Sequence, residues 1–210
     1  MHKKNKKYSV VLNGNFPKES SLIDMINDSG FIIAVDGSAN KLIDLGIIPD
    51  VIIGDFDSLQ AKRIKNVKLI ETPDQNKTDF RKTLDWCIEK NILNISIFGI
   101  SGKSDDHFLA NYYTLCDFSE KISWRAFTDF SVISPCTGNR EFESFKGQKV
   151  SLFCMKGSST ITSKNLEYPL KSYQLKPSDE AVRNIASADQ FEIESTNTIL
   201  VFSKTRHFKH

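Results

Sequence analysis

The sequence is poor in the features that commit a chain to a membrane, an oxidising compartment or a nucleic acid. It has four cysteines in 210 residues, Cys87, Cys116, Cys136 and Cys154. They lie far apart in apolar surroundings with no C-x-x-C spacing, which fits small buried hydrophobes in a reducing cytosol rather than zinc ligands or disulfides. No stretch approaches the ~18 consecutive apolar residues that span a bilayer, so a soluble, cytoplasmic chain with no membrane partner is expected. Lys and Arg total 28 against 26 Asp and Glu. A net charge of +2 is too small for a nucleic-acid footprint, and no nucleic-acid partner is expected. Lys3, Lys4, Lys6 and Lys7 form a polar start that lacks the apolar core of a secretory signal and reads as a solvated terminus. With 6 Pro and 10 Gly the composition is neither disordered nor collagen-like.

What is present is a change of texture along the chain. Continuous β-branched runs, Tyr8–Leu12, Phe31–Val35, Val51–Ile53, Val67–Ile70 and Ile95–Phe98, have the composition of strands buried on both faces. Between them, capping residues open stretches with helical apolar spacing: Lys18–Asn27, Ser38–Leu45, Ser58–Ile64, Thr78–Lys90 and Asp106–Phe118. After about Ser119 the strands become mixed in polarity and turn-separated: Ile122–Phe127, Lys149–Met155, Ser159–Ser163, Phe191–Ser195 and Thr198–Ser203. The expected architecture is α/β, with an N-terminal parallel-sheet, Rossmann-like domain over 1–125 followed by a small all-β sandwich domain over 126–210.

In open parallel sheets ligands bind beyond the carboxyl ends of the strands. Carboxylates gather there: Asp36 after the second run, Asp55 and Asp57 after the third, Asp74 and Asp79 after the fourth, Asp105 and Asp106 after the fifth. Asp55 and Asp57 on extended chain would point to one side and suit Mg²⁺, or they form an Asx turn that caps the next helix. Thr78 and Asp79 read as an N-cap and a first-turn acid, a role compatible with a site. The loop Gly99–Ser104 can present free N–H groups to a phosphate but is neither Walker A nor G-x-G-x-x-G. His107 reads as a phosphate contact or as a capping residue. Phe108, Leu109, Tyr112 and Leu115 read as core, and Ala61–Lys68 as a solvated helix face.

Taken in order, Val35-Asp36-Gly37-Ser38-Ala39-Asn40, Leu45-Gly46-Ile47-Ile48-Pro49-Asp50, Ile53-Gly54-Asp55-Phe56-Asp57-Ser58, Thr72-Pro73-Asp74-Gln75-Asn76-Lys77-Thr78-Asp79-Phe80 and Asp106-His107-Phe108-Leu109-Ala110-Asn111 resemble the thiamine pyrophosphokinase family. A weaker echo is Asn165-Leu166-Glu167-Tyr168-Pro169-Leu170. The resemblance implies a homodimer with its site at the subunit interface, and transfer of the diphosphoryl unit of ATP to thiamine with Mg²⁺ as cofactor. It assigns Asp55, Asp57 and Asp79 to catalysis and to the metal. Asp36, Asp106, His107 and Asn111 fall on the ATP side. Gln75, Thr78, Asp79, Tyr168 and Asn184 fall on the thiamine side, Tyr168 stacking from the partner subunit. Asn76 stands where the family often has Asp, Ser104 where it often has Arg, and Arg183 where it has Ser. Lys103 offers a point charge in place of the missing guanidinium fork. Alternatives are a diphosphokinase for another hydroxymethyl heterocycle such as a pterin, an inactive thiamine or nucleotide sensor, and a phosphohydrolase with an aspartyl nucleophile at Asp55.

Overall fold

A computed structural model describes residues 6–57, 59, 67–177 and 183–206. Lys3, Lys4, the helix expected over Ser58–Ile64 except Leu59, and all of the Lys-rich stretch but Val67 and Lys68 lie outside the described residues. The chain is mixed α/β and divides into two compact units, Met1–Thr128 and Asp129–His210. Among the described residues no helix is long and apolar enough to cross a membrane.

The first unit carries β1 (Tyr8–Val11), β2 (Phe31–Val35), β3 (Val51–Gly54), β4 (Lys68–Glu71), β5 (Asn94–Phe98) and β6 (Ser123–Phe127). Every pairing in the order β6-β5-β1-β2-β3-β4 is parallel. The strands hold together because their cores are apolar on both faces: Val10, Val11, Ile33, Ala34, Ile52, Ile53 and Ile97 are fully buried. A buried Val or Ile side chain contributes about 1.5–3 kcal/mol. The helices α1 (Ser20–Asn27), α2 (Ser38–Asp44), α3 (Asp79–Glu89) and α4 (Asp105–Phe118) supply the crossovers. The order reverses between β1 and β5, where α/β sheets open a crevice.

Ile122–Phe127, grouped by its texture with the mixed-polarity half, is instead the strand β6 paired parallel with β5. Exposed Ser123 and Arg125 alternate with buried Trp124 and Ala126, a pattern that mimics a half-exposed antiparallel strand.

The second unit is antiparallel throughout: β7 (Ser131–Glu143), β8 (Lys149–Phe153), β9 (Ser159–Lys164), β10 (Tyr173–Leu175), β11 (Asn184–Ile185) and β12 (Gln190–Lys204). The two strands expected at Phe191–Ser195 and Thr198–Ser203 are one strand, β12. Its register against β7 shifts between Ser195 and Ile199. The first half of β12 also pairs with β9 and the second half with β8. Leu152, Ile161, Phe191, Ile193, Ile199 and Val201 meet in its core.

Candidate functional site

The crevice at the reversal point is built first from main chain. Beyond β1, the N–H groups of Leu12, Gly14 and Asn15 donate to the carbonyls of Phe98, Gly99 and Ser101, at 2.8, 3.0 and 2.6 Å. Gly99 has φ +66°, and a Cβ there would collide with the Leu12 carbonyl. These bonds lock the loop after β1 to the loop after β5. On the other side, Ser38 Oγ accepts from Val35 N–H at 2.9 Å and donates to the Val11 carbonyl at 2.8 Å, tying the ends of β1 and β2 together.

The turn that Ser38 pins places Asp36 in the left-handed region at φ 46°, an uncommon conformation for a residue with a Cβ. A Cβ on Gly54 would lie 3.0 Å from the Asp36 Cβ, so only glycine lets the end of β3 approach this closely. Asp36 and Asp55 therefore line one cavity of about 600 Å³, within the ~300–1,000 Å³ range of small-molecule sites. Asp36 Oδ1 is buried and has no hydrogen-bond partner among the described residues.

The same cavity is lined by Gln75, Thr78, Asp79, Lys82, Lys103, His107 and Asn111. Thr78 caps α3, its Oγ1 accepting from Arg81 N–H at 3.2 Å, and Asp79 stands in the positive first turn. Lys82 Nζ donates to Asp79 Oδ1 at 3.0 Å and to the Thr72 carbonyl at 2.7 Å. Asn111 Nδ2 donates to the Ile100 carbonyl at 3.1 Å, bracing the loop before α4. Lys103 Nζ donates to Asn13 Oδ1 at 2.6 Å, and Lys41 Nζ to the Gly14 carbonyl at 2.8 Å. Burial, then the Lys103 charge, pull the Lys41 ammonium below its ordinary range.

Several expected residues stand elsewhere. Asp57 is exposed and does not line the cavity. Phe56 at φ 66° interrupts the extended geometry that would have aimed Asp55 and Asp57 to one side, and Asp57 N–H donates to Asp55 Oδ1 at 3.1 Å. That is the Asx turn. Among the described residues no group of three or more His, Cys, Asp or Glu side chains could hold a metal ion. The set Asp55, Asp57 and Asp79 is thus not assembled as one three-ligand group. One or two carboxylates beside phosphate oxygens and water suffice for Mg²⁺, and Asp55 with the unpartnered Asp36 oxygen fits that donor set. Asp106 is exposed at the start of α4. The hydroxyl of Ser104, then the N–H of His107, hold its carboxyl below the usual range.

In the second unit Tyr168 is 61% exposed. Asn184 is buried, and its amide bonds main chain: Oδ1 accepts from the N–H groups of Tyr168 and Ile185, at 3.1 and 2.9 Å, and Nδ2 donates to the Tyr168 carbonyl at 2.6 Å. Asn184, expected as a thiamine contact, fixes the main chain of Tyr168. Sequence reasoning missed Lys82 and Lys41. The available signal for Lys82 was its i,i+3 spacing from Asp79 on a helix whose neighbouring positions, Phe80, Thr83 and Leu84, are buried.

Residues 22–125 match the family model described as thiamin pyrophosphokinase, catalytic domain, and residues 132–202 the model described as thiamin pyrophosphokinase, substrate-binding domain. A thiamine pyrophosphokinase of Bacillus subtilis (strain 168) is 37% identical over 89 residues, 40% of this chain and 42% of the relative. Thiamin pyrophosphokinase 1 of Caenorhabditis elegans is 33% identical over 102 residues, 44% of this chain and 42% of the relative. The matched stretch thus spans about two fifths of the length of these curated relatives. The fold is shared with a crystal structure of thiamine pyrophosphokinase from Bacillus subtilis, at TM-score 0.83 and 23% identity, over 97% of this chain and 100% of that one. It is also shared with thiamin pyrophosphokinase from Candida albicans, at TM-score 0.80 and 17% identity, over 94% and 89%.

Proposed function

Because the chain belongs to the thiamin pyrophosphokinase family, we propose that it transfers the diphosphoryl group of ATP to the hydroxyl of thiamine, giving thiamine diphosphate and AMP. On this reading the first unit is a Rossmann-like nucleotide domain. The second is a β-sandwich whose Tyr168 stacks on the thiazolium across a homodimer interface, a cation–π contact of about 0.5–2 kcal/mol. Cytoplasmic localisation belongs to the same reading.

Phosphoryl transfer asks a protein mainly for positioning and charge compensation. Lys103, His107 and Asn111 hold the nucleotide from the β5–α4 side, with Asp106 setting the charge of the first turn of α4. Gln75 and Thr78 line the acceptor side. Asp55 and Asp36 would hold Mg²⁺, with Asp57 adding negative charge nearby. The ion, when bound, neutralises the polyphosphate and orients it. Asp79 gives Oδ1 to Lys82, while among the described residues no hydrogen bond engages its Oδ2. We assign that oxygen to accept the proton of the acceptor hydroxyl.

The observation that carries this reading is that Asp36, with a buried oxygen unpartnered among the described residues, and Asp55 line one cavity at the sheet's reversal point. It is tested by AMP release from Mg²⁺–ATP and thiamine. Asp55→Asn and Asp79→Asn should each lower turnover on the order of 10²-fold or more while the melting temperature stays close to that of the unmodified chain. Near-normal AMP release from either variant removes its carboxylate from the mechanism.

A further inference from the structure

Lys82 is a charged residue where the packing of α3 asks for an apolar one. Its side chain is 7% exposed, and it stands among the buried residues Phe80, Thr83, Leu84 and Cys87 of that helix. Burying an ammonium costs several kcal/mol unless it is paired and fully hydrogen-bonded. An ammonium has three N–H donors. Two are used, by Asp79 Oδ1 at 3.0 Å and by the Thr72 carbonyl at 2.7 Å. The third has no acceptor in the described chain, and Lys82 lines the cavity.

A donor-only group in that position selects what it can meet. Its ligand must accept a hydrogen bond, and a charged donor bonds best to an anionic oxygen. A thiazolium carries positive charge and is repelled by an ammonium, so Lys82 marks the phosphate side of the cavity rather than the acceptor ring.

We propose that Lys82 is a ligand-binding residue whose third N–H donates to an anionic oxygen of the diphosphoryl unit, next to the carboxylate it already holds. This rests on the function proposed above. Lys82 then does two things at once: it fixes the rotamer of Asp79, and it brings the anion to be transferred beside that carboxylate.

Calorimetric binding of inorganic diphosphate, with AMP as the control ligand, tests it in EDTA and again with Mg²⁺. Lys82→Gln should weaken diphosphate binding at least fivefold and leave AMP binding within twofold. The loss should persist when Asp79 is already Asn. A smaller loss, or one that vanishes in the Asp79→Asn background, overturns the proposal, the latter because Lys82 would then act only through Asp79. If Lys82→Gln fails to fold, the ¹⁵Nζ resonance of the buried lysine in the unmodified chain decides. It should move on adding diphosphate and not AMP, and a resonance that stays put overturns the proposal. An unmodified chain that forms AMP from ATP and thiamine, while Lys82→Gln keeps its diphosphate affinity, removes this inference alone. An unmodified chain that forms no AMP removes the functional reading and the inference together.

Discussion

The Thr72 carbonyl holds Lys82, while its own Oγ1 is buried without a partner among the described residues. An unmade hydrogen bond leaves the desolvation cost of the hydroxyl uncompensated, about 1–3 kcal/mol. Thr72→Val keeps the carbonyl and the branched shape while removing that group. It should raise the urea midpoint by an amount equivalent to about 1 kcal/mol and leave turnover unchanged; an unchanged or lower midpoint would show that the hydroxyl is satisfied in solution. Asp36, whose Oδ1 is likewise buried without a partner among the described residues, differs in belonging to a residue that lines the cavity. At this scale the sequence was legible in identity more than in role. Asp36, Asp55, Gln75, Thr78, Asp79, Lys103, His107 and Asn111 all line the cavity. That the Asn184 amide also holds the main chain of Tyr168 was not legible, because no one-dimensional pattern reveals where a side-chain amide makes its bonds.

Among the elements, α3 couples folding to chemistry most directly, since its cap and its first turn both border the cavity. Thr78 accepts from Arg81 N–H, one of the four donors a helix leaves open at its start. Thr78→Ala should cost about 1 kcal/mol of stability, read from denaturant unfolding, with a loss below a few tenths indicating that water replaces the cap. This helix was readable because a capping residue, a first-turn acid and a 3.6-residue period agree. By contrast β7 was missed. Pro135 and Gly138 punctuate it, and its exposed run Thr137–Glu141 shows no alternation, so a thirteen-residue strand resembles a turn region. The division of β12 into two expected strands has a similar cause: exposed Thr196 and Asn197 lie at the register shift, where the strand bends without ending.

For the molecule as a whole, buried acids of high pKa set how alkali acts on it. Burial pushes the Cys87 thiol up to about 12 and the Tyr112 phenol up to about 12. In the unfolded chain they ionise near about 8.5 and 10. Between those values and their folded ones the native state holds more protons, so stability is full below about pH 8.5 and falls as pH rises above it, by up to about 1.4 kcal/mol per pH unit for each group. Both Trp86 and Trp124, the two tryptophans of the sequence, belong to the first unit, so their fluorescence reports its unfolding. The urea midpoint read this way should drop between pH 8.5 and 10. Cys87→Ala should start lower at neutral pH, because it leaves a cavity, yet drop less steeply. Equal slopes for the two chains would mean that Cys87 ionises without unfolding.

Three bonds of the stitch between the loop after β1 and the loop after β5 join peptide groups, with the Lys103–Asn13 side-chain bond beside them. The bonds between peptide groups are indifferent to which side chains Leu12 and Ile100 carry, and demanding where a methyl group cannot fit, at Gly14, Gly99 and Gly102. The floor of the crevice can hold its shape through wide drift in sequence, and a library that randomises its walls can leave the backbone beneath them untouched.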